Sequence, residues 1–267
     1  MTEWDASEYA RQSQLQEAMA REVLALLELK GSERVLDVGC GDGKITTQIA
    51  ARIPRGSVVG VDASHEMIAF ASNHFGSADQ PNLQFQVADA RHLPFQSEFD
   101  LVVSFNALHW IPEQDMALRS IRSAMKPASR AQLRLVPSGE RESLEDVVEK
   151  TRQLSQWNFY FRDFQNPYLH LTPEQYSTTV ARNGLQVVRL HCETKAWDFG
   201  SRAAFFAFCW VGLISWTRRL PEAKRPEFIN DVLDRYQLVA ADRDTEANTF
   251  KFYQMDVTLA CTEGAGQ

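Results

Sequence analysis

Three acids stand at equivalent places in the first third of the chain. Asp37 lies in the apolar run Val35-Leu36-Asp37-Val38, Asp62 closes Val58-Val59-Gly60-Val61, and Asp89 follows Leu83-Gln84-Phe85-Gln86-Val87-Ala88. The first run breaks into Gly39-Cys40-Gly41-Asp42-Gly43. Glycines at that spacing permit positive φ and let the backbone come close to a bound molecule, while a helix opening behind them offers unpaired N–H groups. From Gly39 to Asp62 is 62 − 39 = 23 residues, near the roughly 20 at which an acid after a second strand meets ribose hydroxyls. The chemistry indicated is the binding of a nucleotide-like cofactor. Each acid alone can be read as a turn or helix cap; three in matching positions favour one crevice at the strand ends.

A second group follows the apolar run Phe99–Phe105: Asn106, then Ala107-Leu108-His109-Trp110. His109 has three readings, as a hydrogen-bonded structural group, as a neutral donor, or as a base. The other histidines show no ligand spacing, and Cys40, Cys192, Cys209 and Cys261 form no Cys-x-x-Cys pair, so no metal site is expected.

To position these residues the chain must alternate strands and helices. Apolar runs at Val35–Val38, Ser57–Asp62, Leu83–Val87, Phe99–Phe105 and Ala131–Val136 read as five strands of a doubly wound parallel sheet. Helical spacing joins them over Ser7–Leu29, Ile45–Ile53, Glu66–Phe75 behind a Ser64 cap, and Glu113–Met125, with a turn at Lys126-Pro127. Beyond Ser138 the rhythm changes. A helical start at Glu142–Gln153 leads into an aromatic stretch, and Thr172-Pro173-Glu174 reads as N-cap, first helical proline and capping-box acid. Leu185–His191 is a sixth strand and Phe250–Cys261 a seventh.

The expected organisation is a helical flap at 1–30 and a cofactor-binding core at 31–137. Helical lid inserts at 138–171 and 197–247 follow, and the rest of the core sheet lies at 172–196 and 248–267. Both inserts are rich in aromatic residues, which either form the inserts' own small core or line an apolar acceptor pocket. The segment around Trp4-Asp5 and Tyr9 reads either as the edge of a helix or as a flap over the cofactor. A formal net charge of −7 argues against nucleic acid. With no signal sequence and no apolar run long enough for a bilayer, a cytoplasmic monomer or homodimer acting on a small molecule is expected.

The Gly39-x-Gly41-x-Gly43 loop after Asp37, with Gly60-Val61-Asp62-Ala63-Ser64, Ala88-Asp89-Ala90 and the strand into Asn106, resembles the class I S-adenosylmethionine-dependent methyltransferases over about residues 34 to 136. The resemblance implies a Rossmann-like seven-stranded sheet with the last strand antiparallel. It implies S-adenosyl-L-methionine as cofactor, leaving S-adenosyl-L-homocysteine, with the loop under the methionine moiety. It implies Asp62 on the ribose with Ala63 and Met67 beside it, and Asp89-Ala90 at the adenine.

The phrase Ala107-Leu108-His109-Trp110-Ile111, the opening Trp4-Asp5…Tyr9 and the stretch Phe208–Leu213 resemble the trans-aconitate methyltransferase group. Ser13-x-x-Gln16 and Gly41–Thr46 resemble the juvenile hormone acid methyltransferases. Both groups esterify carboxylic acids, which implies Gln16, His109 and Trp110 at the reacting carboxylate and Tyr9, Gln16, Trp110, Trp157, Tyr168 and Trp210 around the acceptor. The chain departs from that pattern at Lys126-Pro127-Ala128-Ser129, a turn away from the chemistry.

A carboxylate with a pKa near ~4 is already ionised at neutral pH and needs no base. Neutral donors such as Gln16 and the Trp110 N–H would hold it without over-stabilising the ground state. Methylation of carbon or nitrogen, with His109 as base, and cofactor binding without turnover are the competing expectations.

Overall fold

The structure, a computed structural model, describes residues 14–76 and 80–262; the side chains of Gln14, Gln16 and Glu17 lie outside the description. Seven strands form one sheet in the order β3-β2-β1-β4-β5-β7-β6. They are β1 (Arg34–Val38), β2 (Ser57–Asp62), β3 (Leu83–Val87), β4 (Phe99–Phe105), β5 (Met125–Leu135), β6 (Leu185–Asp198) and β7 (Thr249–Cys261). β1 to β5 are parallel to their neighbours, while β7 runs antiparallel to both β5 and β6. The order reverses between β1 and β4, which is where such sheets open a crevice at their carboxyl ends.

Both faces of the sheet are covered, which is why β1, β2 and β4 are apolar almost throughout. On one face Leu36, Val102, Leu133 and Val257 pack under α4 (Gln114–Ala124) and α6 (Pro173–Arg182). On the other, Val35, Val58, Leu101 and Val103 meet Val23 and Leu24 of α1 (Gln14–Leu26) and Ile49 of α2 (Lys44–Arg52). Helix α3 (His65–Phe75) starts at Ser64, whose Oγ accepts from the Met67 N–H at 3.3 Å.

A separate apolar cluster joins α5 (Leu144–Arg152), α7 (Arg202–Gly212), α8 (Ile214–Thr217) and α9 (Arg225–Ala240) to Phe250 and Phe252 of β7. Leu15 of α1 belongs to this cluster, while Val23, Leu24 and Leu27 belong to the sheet core. Helix α1 thus bridges the sheet and the helical inserts. Arg134, 2% exposed, ties it down: it makes a two-pronged ion pair with Asp256 at 2.7 and 2.8 Å and reaches Glu22 of α1 at 3.2 Å.

Three sequence expectations are corrected. β5 begins at Met125 and runs through Pro127 instead of starting at Ala131. Its pairing jumps from Phe99↔Met125 to Leu101↔Arg130, a bulge that absorbs the proline, whose missing N–H is tolerated there. β6 continues to Asp198, so Trp197 lies in a strand rather than opening the second insert. An edge strand of half-exposed side chains shows little apolar alternation; its length is set by pairing with β7, to Asp198↔Thr249. The capping box at Thr172 closes on Gln175, not on Glu174. The helix expected over Ser7–Leu29 is seen as Gln14–Leu26, residues 7–13 lying outside the description.

Candidate functional site

The loop after β1 is tied to the end of β2. The Gly39 and Cys40 N–H groups both donate to the Val61 carbonyl, at 2.7 and 3.0 Å. The Asp62 carboxylate accepts from the Gly41 N–H at 3.0 Å through one oxygen and from the Ser64 N–H at 2.9 Å through the other. A side chain on Gly39 would force its neighbour to shift: its Cβ would sit 2.2 Å from the Ala107 Cβ. Gly41 has a positive φ of 55° and nothing within 4 Å of where its Cβ would be, so the loop presents bare backbone to open space. Gly43, left-handed, is the N-cap of α2.

Asp37 is 3% exposed and accepts the Thr46 hydroxyl at 2.7 Å. Burial pushes its carboxyl up to about 7; the Thr46 bond opposes this and the nearby Asp62 charge adds to it. At the next strand end, Asp89 is clamped by Arg91, whose guanidinium lies 2.6 Å away and whose N–H donates to Oδ1 at 2.9 Å. Its bond to Arg91 holds the Asp89 carboxyl below the usual range. Ala90 opens the buried turn behind it, and Met67 is buried in the first turn of α3 just beyond Ala63.

Asn106 closes β4 in a left-handed conformation, φ 56°, unusual without glycine. Its N–H donates to the Arg134 carbonyl at 2.9 Å and its Nδ2 lies 3.7 Å from the Met19 sulfur, so α1 crosses the strand end here. The next residues form the tight turn Leu108–Trp110, pinned by Gln114 Nε2, which donates to the Leu108 and Ile111 carbonyls at 2.6 Å each.

His109 is 5% exposed. Burial, with the neighbouring His170 adding to it, pushes the imidazolium form well below its ordinary range, so the ring is neutral at neutral pH. Its Nδ1 faces the Val136 N–H at 3.4 Å, a long contact that favours the remaining proton on Nε2. Trp110 is half-buried among rings, 6.1 Å from Trp216, 6.5 Å from Tyr168 and 5.4 Å from His109.

The proposed acceptor residues separate into two sets. Trp110 and Tyr168 stand together at the turn, the Tyr168 hydroxyl donating to Asp146 at 2.8 Å. Trp157 is packed edge-on to Phe228 at 2% exposure, and its indole N–H is taken by Asp231 at 2.7 Å, a residue of the inserts' own core. Trp210 is half-buried against Phe206 on α7. Tyr9 and the Gln16 side chain lie outside the described residues, although Gln16 stands in the first turn of α1. Met19, Trp216 and His170 join the site without a sequence signal beyond being apolar, aromatic or solitary.

Two carboxyl groups beside an open, positive-φ loop suit a cationic nucleoside better than an anionic one. S-adenosylmethionine carries positive charge at sulfur and ammonium, and these residues fit it. No group of His, Cys, Asp and Glu among the described residues could hold a metal, and none of the described helices is long and apolar enough to cross a membrane.

Residues 35–128 match the family described as a methyltransferase domain. The trans-aconitate 2-methyltransferase of Deinococcus radiodurans is 34% identical over 124 residues, a stretch that spans 46% of each chain, about half of that relative. The namesake from Delftia acidovorans is 23% identical over 246 residues, 88% of this chain and 90% of that one. Among solved structures, Haemonchus contortus phosphoethanolamine N-methyltransferase 2 with S-adenosyl-L-methionine superposes with a TM-score of 0.60 at 17% identity, over 92% of this chain and 53% of that one.

Fold, loop, strand-end acids and the matched domain are those of a class I S-adenosylmethionine-dependent methyltransferase. Within that class its sequence is similar to the trans-aconitate 2-methyltransferases.

Proposed function

We propose that the chain O-methylates the carboxylate of a small or medium-sized organic acid, giving a methyl ester. What carries this reading is the state of His109: a buried, neutral imidazole whose Nδ1 faces the Val136 N–H, which favours the proton on Nε2. Such a ring donates a hydrogen bond and is poorly placed to act as the base that a carbon or protonated-nitrogen acceptor requires. The names of the relatives, which include trans-aconitate 2-methyltransferase and malonyl-[acyl-carrier protein] O-methyltransferase, lean the same way.

In this reading the Gly39–Gly43 backbone lies under the methionine end of the cofactor and Asp62 takes the ribose hydroxyls. Asp89 and Ala90 border the base, with Ala63 and Met67 beside them. When bound, S-adenosylmethionine supplies an electrophilic methyl group on sulfur. The chain's part is to orient the carboxylate in line with it, to hold the second oxygen with neutral donors, and to keep water out. His109 Nε2–H, the Trp110 N–H and Gln16 are the donors; Tyr168 and Trp210 wall the acceptor, and α5 with α7 to α9 forms the lid. Trp157 acts at one remove by holding the lid's core together.

The test is a screen of carboxylic acids with a labelled methyl donor, followed by mild alkali. Label released as methanol supports esterification. An alkali-stable methylated product from the physiological acceptor overturns it in favour of C- or N-methylation, and tight cofactor binding with no methylated product from any acceptor would leave a binding subunit.

A further inference from the structure

Within the core under α4 and α6, His109 borders a cavity of about 10 Å³, room for one water molecule. Its walls are mostly apolar, with Leu135, Val136 and Met255 among them, and three lining side chains carry polar atoms: His109, Gln114 and Tyr176. Gln114 already gives its amide nitrogen to two carbonyls. Tyr176 is 2% exposed and its hydroxyl has no hydrogen-bond partner among the described residues. A buried hydroxyl in that state is costly, and Tyr176 is among the residues that line a space of one water's size. At the same cavity, the Val136 N–H reaches His109 Nδ1 only at 3.4 Å, long for such a bond, so the ring's lone pair has capacity for a closer donor.

We propose that Tyr176 is a positioning residue for His109, acting through one water held in this cavity. The hydroxyl donates to the water, the water donates to Nδ1, and the imidazole proton is thereby fixed on Nε2. Burial pushes the Tyr176 phenol up, so it stays a donor at any working pH. The inference rests on the reading of His109 as a neutral donor to the acceptor, but the device itself exists in the protein without acceptor and can be tested there.

The experiment compares the full chain with Tyr176→Phe by long-range ¹H–¹⁵N spectra of the histidine rings, by thermal unfolding, and by calorimetry with S-adenosylmethionine. In the parent the His109 ring shows the Nε2–H pattern. In the variant it becomes a mixture of both tautomers, the unfolding midpoint falls by roughly 2–4 °C, and cofactor affinity stays within about twofold. A parent spectrum with the proton on Nδ1, or a variant with an unchanged Nε2–H pattern and an equal or higher midpoint, overturns the proposal. Should the variant not fold, the parent is read alone, together with a crystal structure: a water within hydrogen-bond distance of both the Tyr176 hydroxyl and Nδ1 supports the proposal, and a dry cavity overturns it. Failure of the wider reading shows differently, as full methyl-transfer activity in His109→Ala alongside the tautomer shift in Tyr176→Phe.

Discussion

Gly39 and Ala107 touch so closely that a methyl group on Gly39 would lie 2.2 Å from the Ala107 methyl. This contact seats the turn bearing His109 and Trp110 directly against the Gly39–Gly43 loop, although the two are almost seventy positions apart in the sequence. The shape of the proposed reacting end therefore depends on one residue having no side chain.

Gly39→Ala should cost about 2–3 kcal/mol of stability, because the overlap is added to an unfavourable left-handed backbone, and it should abolish cofactor binding. Gly41→Ala meets only open space and should cost about 1 kcal/mol for its φ, while weakening S-adenosylmethionine at least tenfold. Thermal unfolding and calorimetry on the two variants separate these effects; equal behaviour of the pair would falsify the cradle.

Asp62→Ala removes the acceptor of the Gly41 and Ser64 N–H groups as well as the proposed ribose contact. Its cofactor affinity should fall by more than thirtyfold. A variant that binds like the parent removes Asp62 from the site.

Asp37 makes stability fall with rising pH. Its folded carboxyl titrates at about 7, against ~3.9 in an unfolded chain. Between these values the folded state keeps a proton that the unfolded state has lost, so the Asp37 contribution is most favourable below about pH 4 and is lost as pH rises to about 7, by up to ~4 kcal/mol. Asp37→Asn should flatten that slope in a series of unfolding curves from pH 5 to 8. Parallel curves for parent and variant would remove the assignment.

His109 behaves in the opposite sense. Its folded affinity for a proton lies well below the ordinary histidine range, so as pH falls below about 6.5 the unfolded chain gains a proton that the native ring refuses, and stability is lost. Methyl transfer should accordingly show no inflection of its own near pH 6.5 on the His109 account. His109→Gln, which keeps a donor, should retain about a tenth or more of kcat, and His109→Ala about a hundredth. A kcat that titrates with a histidine pKa near 6.5 and vanishes in both variants identifies a base instead.

Trp157→Phe keeps an aromatic ring but takes the indole N–H from Asp231, which still holds Gln156 and Arg235. It should lower stability by about 1–2 kcal/mol and leave the acceptor KM within a factor of two. A large rise in KM with unchanged stability would move Trp157 into the acceptor pocket.

Much of the strand and loop framework proposed to hold the methyl donor was legible in the sequence. Buried parallel strands require continuous apolar runs, the turn out of β1 requires glycine, and the acid after β2 falls at a fixed distance from it; these are short-range demands, written locally around Val35–Lys44 and Ser57–Asp62. What only the tertiary structure decided lies where partners come from far along the chain. β6 reaches Asp198 because β7 pairs with it, and Pro127 sits in a strand because a bulge against β4 excuses its missing N–H. Trp157 and Trp110, alike as residues, divide between insert core and turn according to what Asp231 and Trp216 offer them. The neutrality of His109 is set by burial and by His170 and its tautomer is favoured by the backbone of Val136, none of which any local pattern around His109 could specify.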